Sequence, residues 1–188
     1  MSTAVSNPPN RKIILLLVFL TLAPVILSTL AYFFWHPTGV QSYGELLPTR
    51  PVPTMEMTTL DGKPAPLAEL KGKWLLVVVD NAACDAQCAA ALHAIRQYRV
   101  SQNTEMDRLD RVWLVADGKA PTPEAVKAAE GAQIRLVHGT VPLPGAMQQS
   151  FYLIDPLGNQ VMRYGRDATP SKVIKELGRV LKNNQSLG

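Results

Sequence analysis

At 188 residues and 20.5 kDa, the chain has room for one compact domain plus an appendage, and a second independent core would be unusual at this size. The net charge of +4 and pI near 9.2 invite comparison with polyanion binders. Without Arg11 and Lys12, however, basic and acidic residues nearly balance and are interspersed with no basic run, so nucleic acid is set aside as a partner.

Apolar residues make up 47% of the chain but are unevenly spread. The run from Ile13 to Trp35, IILLLVFLTLAPVILSTLAYFFW, carries no charged side chain. At a rise of about 1.5 Å per residue it is long enough to cross a hydrocarbon core of about 30 Å, so a single transmembrane helix is expected over residues 13–35. Pro24 is tolerable in such a helix, and Tyr32 to Trp35 form an aromatic belt at its far end. Arg11 and Lys12 abut the near end, and no Lys or Arg follows until Arg50. The positive-inside rule therefore places residues 1–12 in the cytoplasm and the remainder on the periplasmic side of the inner membrane. The run is longer than a signal-peptide core and no A-x-A site follows it, which favours an anchor over a cleaved signal.

Residues 36–53 are dense in proline and glycine and read as a partly extended tether, leaving residues 54–184 for the folded domain. MEMTTL and the stretch Pro64 to Leu67 flank Asp61-Gly62, which predicts a β-hairpin at the start of that domain. Trp74 to Val79 is a continuous apolar run of the kind buried on both faces of a sheet. A helix is predicted from Cys84 to Gln102, then a buried strand over Arg111 to Ala116. Thr122-Pro123-Glu124 opens a helix that Gly131 ends, and Ile134 to Val137 is a short strand. FYLI at Phe151 to Ile154 joins QVMRY through the turn Asp155 to Asn159, and Thr169-Pro170 starts a last amphipathic helix. A βαβ unit followed by a ββα unit resembles a thioredoxin fold, here with an N-terminal β-hairpin extension.

The only two cysteines, Cys84 and Cys88 in NAACDAQCAAAL, fall where a buried strand hands over to a helix. If the helix begins near Cys84, four-residue spacing puts both sulfurs on one face with Cα atoms about 6 Å apart, within reach of a disulfide or a shared metal. Cys84 would then sit among the free N–H groups of a helix N-terminus, where thiolate is favoured, and Cys88 would be the more buried second sulfur. A bridge closing so short a loop contributes little stability, which argues for function over stapling. His138, after the strand ending at Val137, can approach the cysteines across the strand ends, where ligands gather in open α/β sheets. His93 points mostly elsewhere on the cysteine helix, and His36 lies at the membrane border. Asp80 and Asp85 flank the loop and read as proton relays or, more simply, as turn and cap residues.

The region GKPAPLAELKGKWLLVVVDNAACDAQC resembles that around the CxxxC pair of the Sco-type family, membrane-anchored thioredoxin-like proteins that serve cytochrome c oxidase copper assembly. FYLIDPLGN matches a second stretch of that family, and the likeness runs from about Met55 to Lys182. It implies Cys84 and Cys88 as copper-binding or redox thiols. The chain departs from the family in two places: Ala89 stands where a proline usually follows the second cysteine, and the family's copper-ligand histidine falls at or near Met147. A thioether suits Cu(I) rather than Cu(II), so a Cys84–Cys88–Met147 set selective for Cu(I) is one expectation.

Three functions follow from the paired thiols, the anchor and what the resemblance implies. The first is Cu(I) binding and delivery to a cytochrome c oxidase subunit or another copper chaperone. The second is a thiol–disulfide oxidoreductase that keeps a partner's copper-site cysteines reduced. The third is a non-catalytic thioredoxin-like interaction module.

Overall fold

The computed structural model describes residues 10–34, 42–146, 150–165 and 167–186. It divides into two units, Met1–Gln41 and Ser42–Gly188. Among its described residues the first holds the helix α1, Arg11–Phe34, with Pro24 inside it. Its mean hydropathy of 2.7 over Arg11–Phe33 makes it long and apolar enough to cross a membrane. The hydroxyls of Thr21 and Thr29 donate to Leu17 O at 3.0 Å and Val25 O at 2.7 Å, so both polar groups are satisfied within the helix. Trp35 and His36 lie outside the described residues.

The second unit is built on a seven-stranded sheet in the order β1-β7-β6-β3-β4-β5-β2. Its strands are β1 Glu45–Pro51, β2 Glu56–Thr58, β3 Trp74–Asp80, β4 Leu109–Val115, β5 Gln133–His138, β6 Phe151–Ile154 and β7 Asn159–Tyr164. The centre, β3-β4-β5, is parallel, and the four flanking pairings are antiparallel. Crossover helices α2 (Ala86–Val100) and α3 (Pro123–Ala128) join the parallel strands, and α4 (Pro170–Asn183) closes the chain.

All three helices pack on one face of the sheet, because the apolar sides of α2 and α4 (Leu92, Ile95, Leu177, Leu181) meet Leu76 and Trp113 there. The alternate residues of β3, Leu75, Val77 and Val79, face a second apolar cluster roofed by loops and the short 3-10 helix Leu67–Leu70. Every residue from Trp74 to Val79 is buried, as a continuous apolar run in a two-sided sheet requires.

The fold is the expected thioredoxin-like α/β arrangement, with two corrections of detail. Residues 45–51, read from sequence as tether, form the edge strand β1 against β7. Leu47 is buried on the loop-roofed face, and the prolines are accommodated because an edge strand needs only one set of ladder bonds. Ser42 to Gly44 are also fastened: Ser42 Oγ, Tyr43 N and Gly44 N donate to the Glu176 carboxylate on α4 at 2.7–2.9 Å. The Asp61-Gly62 turn is present, with Thr59 N donating to Lys63 O and Ala65 N to Met57 O. Its returning arm makes only the bridge Thr58–Pro64, since Pro64 has no N–H to extend the ladder, while the other edge of β2 pairs with β5.

The second correction concerns α2. It begins at Ala86 rather than Cys84 and ends at Val100 rather than Gln102. Asp85 takes the N-cap, its Oδ1 accepting from Gln87 N and Cys88 N at 2.9 Å each. A carboxylate is a far better acceptor for these orphan donors than a thiol, so the aspartate sets the boundary.

Candidate functional site: the cysteine loop

Strand β3 ends at Asp80, and the chain must turn to enter α2 above the sheet. Asn81 N donates to Asp80 Oδ1 at 2.8 Å, and Cys84 N donates back to Asn81 O at 3.1 Å, closing a turn over residues 81–84. Cys84 sits at the end of that turn with φ +38°, in the left-handed region. A non-glycine residue there costs about 1–2 kcal/mol. The expected placement of Cys84 as the first helical residue is therefore corrected: it precedes the cap, and Asp85 takes up two of the N–H groups assigned to it. The carboxylate next door also sets a negative charge close to any Cys84 thiolate.

Cys84 and Cys88 are joined in a disulfide with Cα atoms 5.0 Å apart. Cys88 is fully buried in the helix-side core beside Leu92, whereas Cys84 is half-buried and packs on the edge of that core. One sulfur-bearing residue is thus accessible from solvent and the other is not, and a dithiol reaching a partner from this site does so through Cys84.

The remaining candidates are distributed as follows. His138 stands at the end of β5, exposed, with Nε2 3.0 Å from Thr58 Oγ1 on the outermost strand. Strand β4 lies between β5 and β3, so His138 shares an edge of the sheet with the cysteines but is engaged on the side away from them. Met147 lies outside the described residues. Ala146 and Ser150 are both buried, and Phe151 pairs with Val78, so β6 begins at the cysteine end of β3. His93 is exposed on α2 near Gln97. Asp85 is the cap and Asp80 a turn acceptor, the simpler of the roles expected for each. Trp74 and Trp113 are core residues. Among the described residues no three His, Cys, Asp or Glu side chains gather as a metal cluster.

One neighbour went unremarked in the sequence. Asp117, just past β4, accepts from Ala82 N at 3.1 Å and so ties a second loop to the cysteine turn. The signal was legible: Asp117-Gly118 is a turn dipeptide at the end of a buried strand, where loops of an open sheet converge.

With two soft sulfur donors the pair suits Cu(I), and such a site needs the disulfide reduced. As it stands, the bonded pair is equipped for thiol–disulfide exchange, in which an incoming thiolate attacks one sulfur and releases the other.

Comparison with known proteins places these features in a family context. No curated protein matches the sequence. Among solved structures, a SCO1/SenC family lipoprotein from Bacillus anthracis shares 21% identity and a TM-score of 0.53, covering 72% of this chain and 96% of that one. Arabidopsis thaliana ScoI with copper bound shares 15% identity at a TM-score of 0.57, with 71% of this chain and 99% of that one covered. BsSco, a member of the Sco family of cytochrome c oxidase assembly proteins described with a disulfide switch, shares 18% identity at a TM-score of 0.55, covering 79% and 100%. The Sco resemblance read around the cysteines therefore holds at the level of the fold. Residues 74–184, more than half of the chain, match the family described as transmembrane-like, thioredoxin-like, C-terminal domain. The sheet, the strand-to-helix cysteine loop and this match lead to one conclusion: the chain belongs to the transmembrane-like, thioredoxin-like family.

Proposed function

We propose that the protein is a membrane-anchored, Sco-like assembly factor for cytochrome c oxidase, working through Cys84 and Cys88. Residues 1–12 lie in the cytoplasm, the helix over residues 13–35 spans the inner membrane, and the thioredoxin-like domain faces the periplasm. Cu(I) is the cargo. It is held by the two thiolates once the disulfide opens, with Met147 as the soft third donor, and passed to an oxidase subunit or another copper chaperone. The observation that carries the reading is the pairing itself: the chain's two cysteines meet at the mouth of the sheet, one half-buried and one buried. The copper-bound state of a structural relative, the softness of sulfur donors and the apolar helix support it.

The test is metal retention by the full-length chain in detergent. After anaerobic reduction and loading, wild type should keep close to one Cu(I) per chain, and Cys84→Ser/Cys88→Ser should keep none. Equal retention by the variant would reject the copper reading.

A second reading, thiol–disulfide exchange with a partner's copper-site cysteines, is favoured by the closed disulfide and by the engagement of His138 with Thr58. It predicts that Cys88→Ser accumulates mixed disulfides through Cys84 in cells. A lack of such adducts alongside stoichiometric copper would decide for cargo binding.

A further inference from the structure

Two loops from neighbouring strands are fastened together beneath the disulfide. Ala82, buried in the middle of the turn that ends at Cys84, donates its N–H to Asp117 Oδ1 at 3.1 Å. The same oxygen lies 3.5 Å from Lys119 N, which steadies the carboxylate within its own loop. Gly118 follows at φ +64°, where a Cβ would stand 2.9 Å from Val137 O and 3.4 Å from His138 Nδ1, so the Asp117-Gly118 turn is wedged against the end of β5. Beside it, Ala116 N donates to Asp80 O at 2.9 Å. The cysteine turn is thus referenced to the ends of β4 and β5 as well as to its own strand.

This attachment bears on the disulfide because of where Cys84 sits. Its left-handed backbone is unfavourable for a side chain, and the turn over residues 81–84 relaxes toward commoner conformations unless something holds it. Relaxation moves the Cys84 Cα relative to Cys88, which α2 and the core fix in place, and the 5.0 Å separation of the closed bond is then harder to keep. The dithiol has no such requirement.

We infer that Asp117 is a positioning residue: by holding Ala82 N it stabilises the closed disulfide relative to the dithiol, and so sets how readily the pair is reduced. The inference rests on the reading that Cys84 and Cys88 act by being reduced and reoxidised. The step is a balanced exchange with a reducing dithiol. The reductant's thiolate attacks one protein sulfur and its second thiol displaces the mixed disulfide; the protein gains two electrons and two protons as two thiols, and the reductant closes to its own disulfide.

The experiment equilibrates the full-length chain in detergent with mixtures of reduced and oxidised dithiothreitol, traps free thiols by alkylation and reads both species by mass. Asp117→Ala should shift the equilibrium about tenfold toward the dithiol, the scale of a lost hydrogen bond to a charged group. Asp117→Asn, which keeps an acceptor oxygen on the same stem, should stay within about twofold of wild type. In a Cys84→Ser/Cys88→Ser background, the loss in folding constant on Asp117→Ala should be about tenfold smaller than in the disulfide-bonded chain, since no closed bond remains to be favoured. Should Asp117→Ala fold poorly, Asp117→Ser, which retains a shorter acceptor, should give an intermediate shift. A wild-type equilibrium in Asp117→Ala or Asp117→Ser, or an equal shift in Asp117→Asn, would overturn the inference. Copper retention by wild type is measured on the same preparation. Lost copper with an intact tenfold shift defeats only the cargo reading, and retained copper without the shift defeats only the role of Asp117.

Discussion

Strand β3 is capped at its two ends by turns that use the same chemistry for opposite purposes. At its start lies the β6–β7 turn, linked to it by Gly72 N donating to Pro156 O. There Asp155, 7% exposed, accepts from Leu157 N, Asn159 N and Asn159 Nδ2 at 2.7–3.0 Å, and the left-handed position is given to Gly158 at φ +92°. At its other end lies the cysteine turn, where Asp80, Asp85 and Asp117 take the backbone donors. The left-handed position is occupied by Cys84 instead. Where the backbone shape is all that matters, glycine removes the steric penalty. Where a sulfur is wanted at the mouth of the sheet, the chain accepts that penalty and holds the turn with side chains from two loops.

The sharpest way to break this contrast is at the aspartate of the first turn. Asp155→Ala should lower unfolding stability by about 2–3 kcal/mol in denaturant titrations, because Leu157 N, Asn159 N and Asn159 Nδ2 all lose the charged acceptor that Asp155 holds inside the turn. Next in size, Gly158→Ala should cost about 1–2 kcal/mol for the left-handed backbone, since the nearest atom to the new Cβ, Lys71 Cε at 3.1 Å, belongs to a flexible side chain that can give way. The corresponding change in the other turn should carry the opposite sign. In a Cys88→Ser background, Cys84→Gly should be more stable than Cys84→Ala by about 1 kcal/mol. A difference of zero would mean that the turn leaves the left-handed region once the bond is gone. Asp85→Ala should cost about 1 kcal/mol through loss of the cap of α2.

The smallest effect at neutral pH lies outside both turns. Burial pushes the Tyr164 hydroxyl far above its ordinary value of 10.0, and burial also raises Tyr98 and Tyr152. The folded state keeps these protons while the unfolded chain begins to lose them near pH 10, so the associated stability is complete below that pH and declines as pH rises beyond it. Tyr164→Phe should flatten the alkaline slope of stability measured between pH 9 and 11 while changing it little at pH 7.

Much of the architecture was legible because local pattern and tertiary role agree. WLLVVV and FYLI are uniform apolar runs, and both lie buried in the sheet, paired with each other. Thr122-Pro123 and Thr169-Pro170 open α3 and α4 as expected. Two readings failed for want of long-range information. The proline-bearing segment over residues 45–51 looks like tether in isolation, and it becomes β1 only because β7 offers an edge with donors and acceptors. Cys84 looks like a helix start by spacing, but Asp85 outcompetes it for the cap.

Composition and spacing alone determine that the chain carries one membrane-length helix, strands and helices that alternate as an α/β core requires, and two cysteines close enough to bond, because each of these depends on apolar runs or on residues within one turn. Tertiary packing decides the rest: that Cys88 is sealed while Cys84 reaches the surface, that His138 turns to Thr58 and not to the sulfurs, and that Asp117 grips the cysteine turn. Those outcomes hinge on which strands become neighbours, and the hydrogen bonds and contacts that settle it join residues far apart in the chain.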